Sequence, residues 1–421
     1  MRYQYYSKQK DFYSYISKLV EEGYEIRNHY FLIYILEKGD DEVIVSNLWL
    51  WNWKNYKIEV QKYNHHFNIK MPDYTNTNLN LISGIRRNFG FDYGIDIDDQ
   101  IFGQKYKNVV ILLLDGLGKN VLIKNLSKKS FLRSHILKDN VSIFPSTTAC
   151  ATTAVISGRP PIETAWTGWH NYFKEIEKDI ILFRGINYYD RKDSNNPTAY
   201  DFIPYQRFFD DMKMGRTIHP NFKKPNLKEV LAESLSTLEE DKVQYVYFTE
   251  PDNIMHGNGT YSLITKFTLY KIDKLVKKYA EKLPSDTLLL VVADHGHVPV
   301  FKTINMYENK VLFKMLKTKP SNDTRCIVFR VKEKYKSVFA DTFKMFYEDI
   351  YDLYETAEAI NRGFFGISDN PHPRINEFLG DFVAIAKSDY LLSSKPDFKF
   401  KSHHAGYTEE EMITPVIVFK K

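Results

Sequence analysis

Six acidic or imidazole side chains and one threonine have the types needed to handle a phosphoester, and most of them follow apolar runs. Asp115 comes after NVVILLL, Thr148 after VSIFPST, and Asp294 with His295 after TLLLVVA. Asp252 and His256 lie in FTEPDNIMH, and His404 in KSHHAGYT. Hydrolysing an anionic phosphoester needs charge neutralisation, an activated oxygen nucleophile and a stabilised leaving oxygen. Two divalent cations about 3.5–4 Å apart can supply all three.

Asp115 opens LDGLGKN, where Gly116 and Gly118 allow a tight turn. The third glycine of a dinucleotide-binding fingerprint is missing, so that reading is set aside. Thr148 stands where Pro145 and Ser146 introduce a helix that Gly158 can end. A hydroxyl on a first helical turn meets unpaired N–H groups and the positive helix end, which favour an alkoxide and an incoming phosphate. Ser/Thr clusters there are also ordinary caps, and Thr147 competes as the nucleophile. Asp252 and His256, four apart, share one face of a helical turn and suit one metal. Asp294 and His295 can converge on a cation where a strand bends into a loop, and His297 competes as an extra ligand but reads as a supporting or structural group. Chemistry alone does not separate His404 from His403. Imidazole with carboxylate suits zinc first and manganese second.

The elements that must position these groups are legible as apolar runs. Strands are expected at 108–114, 141–144, 243–249, 287–293 and 415–420, with helices at 147–157, 225–238 and 260–281. Strands alternating with helices, and nearly continuous in Val, Ile and Leu, predict a doubly wound, mostly parallel α/β sheet. Four of the five strands run into a candidate residue at the carboxyl edge, where open parallel sheets bind ligands. Capping residues Asp73 to Asn76 precede an amphipathic helix through NLNLISGIRRNFG. Residues 303–398 break the alternation and read as an inserted α+β cap. Residues 1–70 read as a separate α+β unit, with a helix around 12–20, a strand-like run at 24–36 and a turn at 39–41. The catalytic core is therefore expected at 72–302 and 399–421. The long segment 187–224 is expected to face substrate.

Composition narrows the class. At 421 residues, with 43% hydrophobic and 26% charged side chains, the chain can bury a large core. No apolar run reaches the length of a membrane span and MRYQYYSKQKDFYSY has no signal-peptide core, so a cytoplasmic protein without a membrane partner is expected. The net charge of +5 is spread over scattered lysines and does not indicate a nucleic-acid partner. Cys150 and Cys326 form no metal or disulfide pattern, and His65-His66 lack companion ligands in the sequence.

The blocks LLLDGLG, FPSTTACATT with SGRPP, FTEPDNIMH, VVADHGH and HHAGYTEEEMITPVIV together resemble the alkaline phosphatase superfamily, in its type I phosphodiesterase/nucleotide pyrophosphatase branch. The resemblance runs from about Lys107 to the C-terminus. It implies that Asp115, Asp294 and His295 hold the metal that activates Thr148, with Thr148 itself a ligand, and that Asp252, His256 and His404 hold the other. It further implies a phospho-threonine intermediate and a small phosphoester substrate of nucleotide type. Asn171, in TGWHNYF, is the expected ligand of a phosphoryl oxygen. FPSTTAC lacks the Cys/Ser-x-Pro-x-Arg motif of sulfatases, and no arginine matches the one that grips phosphate in monoesterases, which favours diesters. A phosphomonoesterase or phosphoryl-transfer enzyme on the same core is the alternative, and a binding protein that has lost catalysis is the other.

Overall fold

A computed structural model describes residues 2–6, 25–30, 33–38, 41–46, 56–60, 67–91, 99–191, 197–394 and 399–421. The chain divides into two compact units, Met1–Phe67 and Asn68–Lys421. The first contains a five-stranded antiparallel sheet in the order 2–6, 56–60, 41–46, 33–38, 25–30. The run expected as one strand at 24–36 is two paired strands, Glu25–Tyr30 and Ile33–Lys38. The helix expected at 12–20, the tip of the turn at 39–41 and His65-His66 lie outside the described residues.

The second unit is built on a six-stranded sheet. Its strands are β1 (Asn108–Leu114), β2 (Ile136–Val141), β3 (Gly215–Ile218), β4 (Val243–Phe248), β5 (Thr287–Val292) and β6 (Ile413–Lys420), in the order β3-β4-β1-β5-β6-β2. Neighbours from β3 to β5 pair parallel, whereas β6 is antiparallel to both β5 and β2. Every residue of β1, β4 and β5 is buried. Val110, Leu112 and Leu114 of β1 pack into one core with Leu227, Val230, Leu269 and Val276 from the helices Leu227–Thr237 and Leu263–Lys282. Val109, Ile111 and Leu113 pack into another with Leu81, Ile82 and Ile85 of helix Asn78–Asn88. Burial on both faces explains why these strands read as unbroken apolar runs. The mostly parallel α/β sheet is the architecture expected.

The helix expected at 260–281 begins at Leu263, and two further boundaries differ from expectation. The strand foreseen at 141–144 is β2 at 136–141, and residues 142–147 form the approach to the next helix. The cap of Asn78–Asn88 is Thr77, which accepts from the Leu79 N–H, rather than a residue of 73–76.

A second, antiparallel sheet orders seven strands as 186–187, 178–181, 170–173, 321–322, 326–329, 382–386 and 351–355. It draws in the hairpin at 170–181, which the expected boundary at 302 assigned to the core. The link is the pairing of His170 with Asn322. Such pairing across about 150 residues leaves no local sequence signal. Among the described residues no helix is long and apolar enough to cross a membrane.

Candidate metal centre

Three carboxylates meet at the carboxyl edge of the central sheet. Asp115 directly follows β1, Asp252 starts the helix Asp252–Asn258 four residues after β4, and Asp294 stands two residues after β5. Backbone hydrogen bonds tie these ends together. The Asp115 N–H donates to Phe248 O and the Asp252 N–H donates to Asp115 O, both at 3.0 Å. The Gly116 N–H donates to Asp294 Oδ1 at 3.0 Å. Because β6 runs antiparallel, its first residue lies at this same edge, and the segment before it delivers His404.

The histidines arrive with their tautomers set. His256 Nδ1 lies 3.0 Å from Ser402 O, His404 Nδ1 3.0 Å from Ser146 O, and His295 Nδ1 3.0 Å from Gly296 O. A carbonyl only accepts, so each Nδ1 carries a proton, which turns each Nε2 inward. Those Nε2 atoms face carboxylates. His256 Nε2 is 3.3 Å and His404 Nε2 3.5 Å from Asp252 Oδ1. His295 Nε2 is 3.4 Å from both Asp115 Oδ1 and Asp294 Oδ2. Burial keeps His404 neutral, so its Nε2 lone pair is repelled by the Asp252 carboxylate until a cation stands between them, whereas at His256 burial is outweighed by the attraction of Asp252, which raises the imidazole.

The electrostatics give the same fit. Burial, then the charges of Asp294 and Asp252, push the Asp115 carboxyl well above its ordinary range. Burial also raises Asp294, and its Oδ2 is buried with no hydrogen-bond donor. Burial holds His404 well below its ordinary value, so it is a neutral imidazole ready to ligate. The ligand atoms of Asp115, Asp294 and His295 lie within 4.8 Å of one another, as do those of Asp252, His295, His297 and His404. These two clusters are a donor set for two divalent cations.

Thr148 is the first residue of the helix Thr148–Ser157, which ends at Gly158 in the left-handed conformation (φ 68°). Its Oγ1 is 3.2 Å from His295 Nε2 and 3.5 Å from Asp115 Oδ1. The Thr147 hydroxyl turns elsewhere and donates to Asp323 Oδ2 at 3.1 Å. His403 is similarly set apart from His404. Its Nδ1 is occupied by the backbone of His404 and stands 3.9 Å from Asp323, whereas the His404 ring stacks on His295 at 3.7 Å.

Asn171 is not brought to the site. It is fully buried, its amide bonded to Thr167 Oγ1 (3.3 Å) and to Ala165 O (3.4 Å). Side chains alternate along a strand, so with His170 lining the cavity Asn171 must point to the opposite face. Sequence reasoning missed two supporting groups, Tyr247 and Asp323, and singled out a third, His297. The Tyr247 hydroxyl donates to Asp115 Oδ2. His297 Nε2 donates to Asp252 Oδ1 at 2.6 Å, and burial pushes that imidazole down to about 4. Asp323 lies in a loop with no motif, and burial raises it to about 6. For Tyr247 the alternation of VQYVYF offered a signal, since Tyr245 and Tyr247 both line the cavity.

Above the cluster opens a cavity of about 940 Å³, lined by Thr148, Asp115, Asp252, His256 and His404 and walled by aromatic side chains including Trp169, Tyr188, Tyr205, Phe222 and Tyr247. Small-molecule sites occupy roughly 300–1,000 Å³, so it can hold a substrate much larger than one phosphoryl group.

Fold and site together define a metal-binding hydrolase of the alkaline phosphatase superfamily, acting on phosphoester or pyrophosphate bonds. Residues 167–408, more than half of the chain, match the family described as type I phosphodiesterase / nucleotide pyrophosphatase, and the chain belongs to it. Asp115 and Thr148 fall outside the matched span. Comparison with curated protein sequences found no match. Among solved structures, murine ectonucleotide pyrophosphatase/phosphodiesterase 5 is similar, with a TM-score of 0.58 and 16% identity over 75% of this chain and 88% of that one. An inactive form of the same murine protein, in complex with AMP, aligns with a TM-score of 0.57 and 15% identity over 75% of this chain and 88% of that one. Phosphonoacetate hydrolase from Sinorhizobium meliloti 1021, in complex with phosphonoformate, aligns at 0.52 with 14% identity over 76% of this chain and 92% of that one. At such identities the structural likeness concerns the fold.

Proposed function

We propose that the protein hydrolyses phosphodiester or pyrophosphate bonds of nucleotide-type small molecules through a covalent phospho-threonine at Thr148. The observation that carries this reading is the Thr148 hydroxyl at a helix N-terminus, 3.2 Å from His295 Nε2 and 3.5 Å from Asp115 Oδ1, beside the cavity. Asp115, Thr148, Asp294 and His295 would hold one metal, and Asp252, His256 and His404 the other. Zinc suits this imidazole and carboxylate set first and manganese second. When bound, two such cations neutralise phosphate charge, lower the pKa of the hydroxyl and steady the leaving oxygen.

The chain's own groups do the rest. Thr148 Oγ1 attacks phosphorus, forming the Thr–O–P bond as the P–O bond to the leaving group breaks. The free N–H groups of the first helical turn receive the phosphoryl oxygens. The leaving oxygen takes up, through solvent, the proton that the Thr148 hydroxyl gives up, and water then cleaves the phospho-threonine, its oxygen going to the phosphoryl product and a proton to the restored hydroxyl. His297 and Tyr247, each hydrogen-bonded to a carboxylate of the cluster, keep Asp252 and Asp115 in place. A nucleotide-type substrate agrees with the aromatic cavity walls and with the AMP bound by the murine relative.

The test uses purified protein supplied with zinc or manganese and bis(p-nitrophenyl) phosphate. Turnover should vanish with chelator while the protein stays folded. Thr148→Ala should keep both metals and lose at least about a thousandfold in kcat, as removal of a covalent nucleophile does. Near-normal turnover by Thr148→Ala would remove the covalent mechanism.

A further inference from the structure

The cavity has a buried acidic floor, formed by Asp115, Asp252 and Asp323, and an exposed rim. Among its described lining residues the lysines and arginines are two, Arg184 and Arg191, and both are exposed. Neither forms an ion pair with a described residue. Each instead lies over an aromatic face, Arg184 at 5.8 Å from the Trp169 ring and Arg191 at 5.4 Å from the Tyr188 ring. His170, next to Trp169 in the chain, stacks on Tyr188 at 3.6 Å and 8°. The two guanidinium groups are thus mounted on one aromatic wall.

Their backbones are also held. The Arg184 N–H donates to Ile181 O at 3.0 Å and the Arg191 N–H donates to Asn187 O at 3.1 Å. A guanidinium lying over a ring keeps its N–H edges available, and those edges match the two oxygens of a phosphate or carboxylate. The phosphoryl group undergoing transfer is served by Thr148 and the cluster on the floor. Two fixed positive charges at the rim are therefore free to meet other oxyanions.

We propose that Arg184 and Arg191 recognise a second anionic group of the same substrate molecule, a phosphate or a carboxylate outside the bond that is cleaved. The enzyme is then selective for polyanionic pyrophosphates over singly charged diesters. This rests on the hydrolytic reading above and adds the charge of the substrate to it.

The experiment compares wild-type protein with Arg184→Met/Arg191→Met, using kcat/KM for ATP divided by that for bis(p-nitrophenyl) phosphate. The ratio should fall about tenfold in the double variant, as expected for exposed charge-assisted contacts, with the change carried by KM. Arg184→Lys/Arg191→Lys should restore part of it. The ratio of UDP-glucuronate to UDP-glucose turnover falling in parallel assigns general oxyanion recognition, and a fall with ATP alone assigns phosphate. A ratio for ATP within twofold of wild type overturns the proposal. Calorimetric binding of ATP to metal-loaded Thr148→Ala protein, with and without the arginine substitutions, provides a readout that does not need turnover. An unchanged Kd there also overturns the arginine assignment, whereas absent bis-aryl turnover by wild type counts against the hydrolytic reading alone.

Discussion

Replacing Tyr247 by Phe removes a single hydroxyl that donates to Asp115 Oδ2 and leaves the ring in place. Asp115 is 3% exposed and Tyr247 9%, so water does little to replace the lost donor. A hydrogen bond to a buried charged group contributes about 1.5–3 kcal/mol, which corresponds to roughly 10- to 100-fold in an equilibrium constant. Loss of a group that orients a metal-binding carboxylate has a similar range, about 10- to 100-fold in metal affinity. Tyr247→Phe should therefore weaken metal binding by that factor while kcat at saturating metal changes much less. The assay is a zinc titration in buffered free metal, read both by calorimetry and by turnover of bis(p-nitrophenyl) phosphate. Near-ultraviolet circular dichroism and Tm of the apo protein control for folding. Half-saturation within twofold of wild type, in a folded variant, would refute the argument that this hydroxyl supports Asp115 as a ligand.

Other substitutions probe the frame around the site. His404→Ala should cost one equivalent of bound metal and most activity, whereas His403→Ala should retain both equivalents; metal content of the purified variants decides. Arg325 is buried and forms a two-pronged pair with Glu411 at 2.6 and 2.8 Å, and Glu411 in turn accepts from Gly406 N–H at 2.7 Å. Arg325→Met should destabilise by about 3–5 kcal/mol in chemical denaturation, because it strands a buried carboxylate, and Arg325→Met/Glu411→Met should recover much of that. A Cβ on Gly296 would stand 2.0 Å from the Glu410 carbonyl oxygen. Gly296→Ala should accordingly displace the turn after Asp294-His295 and lower both Tm and metal occupancy, and an unperturbed Tm would show that this turn yields freely.

How much of this was legible depended on whether the signal was local. The strands at 108–114, 243–248 and 287–292 were readable because both their faces are buried, which makes every position apolar. The helix at 148–157 was readable from the Gly158 that ends it. The seven-stranded sheet was not, because its hairpin at 170–181 joins the strand at 321–322 through one pairing, His170 with Asn322, that no local pattern encodes. Asn171 lies away from the cavity for a related reason. A motif gives a residue's neighbourhood in the chain, while the parity of a strand decides which face it occupies.

By itself the sequence determined that Asp115, Asp252 and Asp294 lie at the ends of buried strands, since apolar runs and their polar terminations are properties of the chain alone. It supplied the imidazoles as well, and in Thr147/Thr148 and His403/His404 it left two adjacent pairs unresolved. Only the tertiary structure gives them different surroundings, turning Thr147 to Asp323 and Thr148 to His295, and stacking His404 rather than His403 on His295. Adjacent residues of one type are equivalent in composition and nearly so in spacing. They differ in direction, and direction is set by the distant segments that each side chain meets when the sheet edge closes.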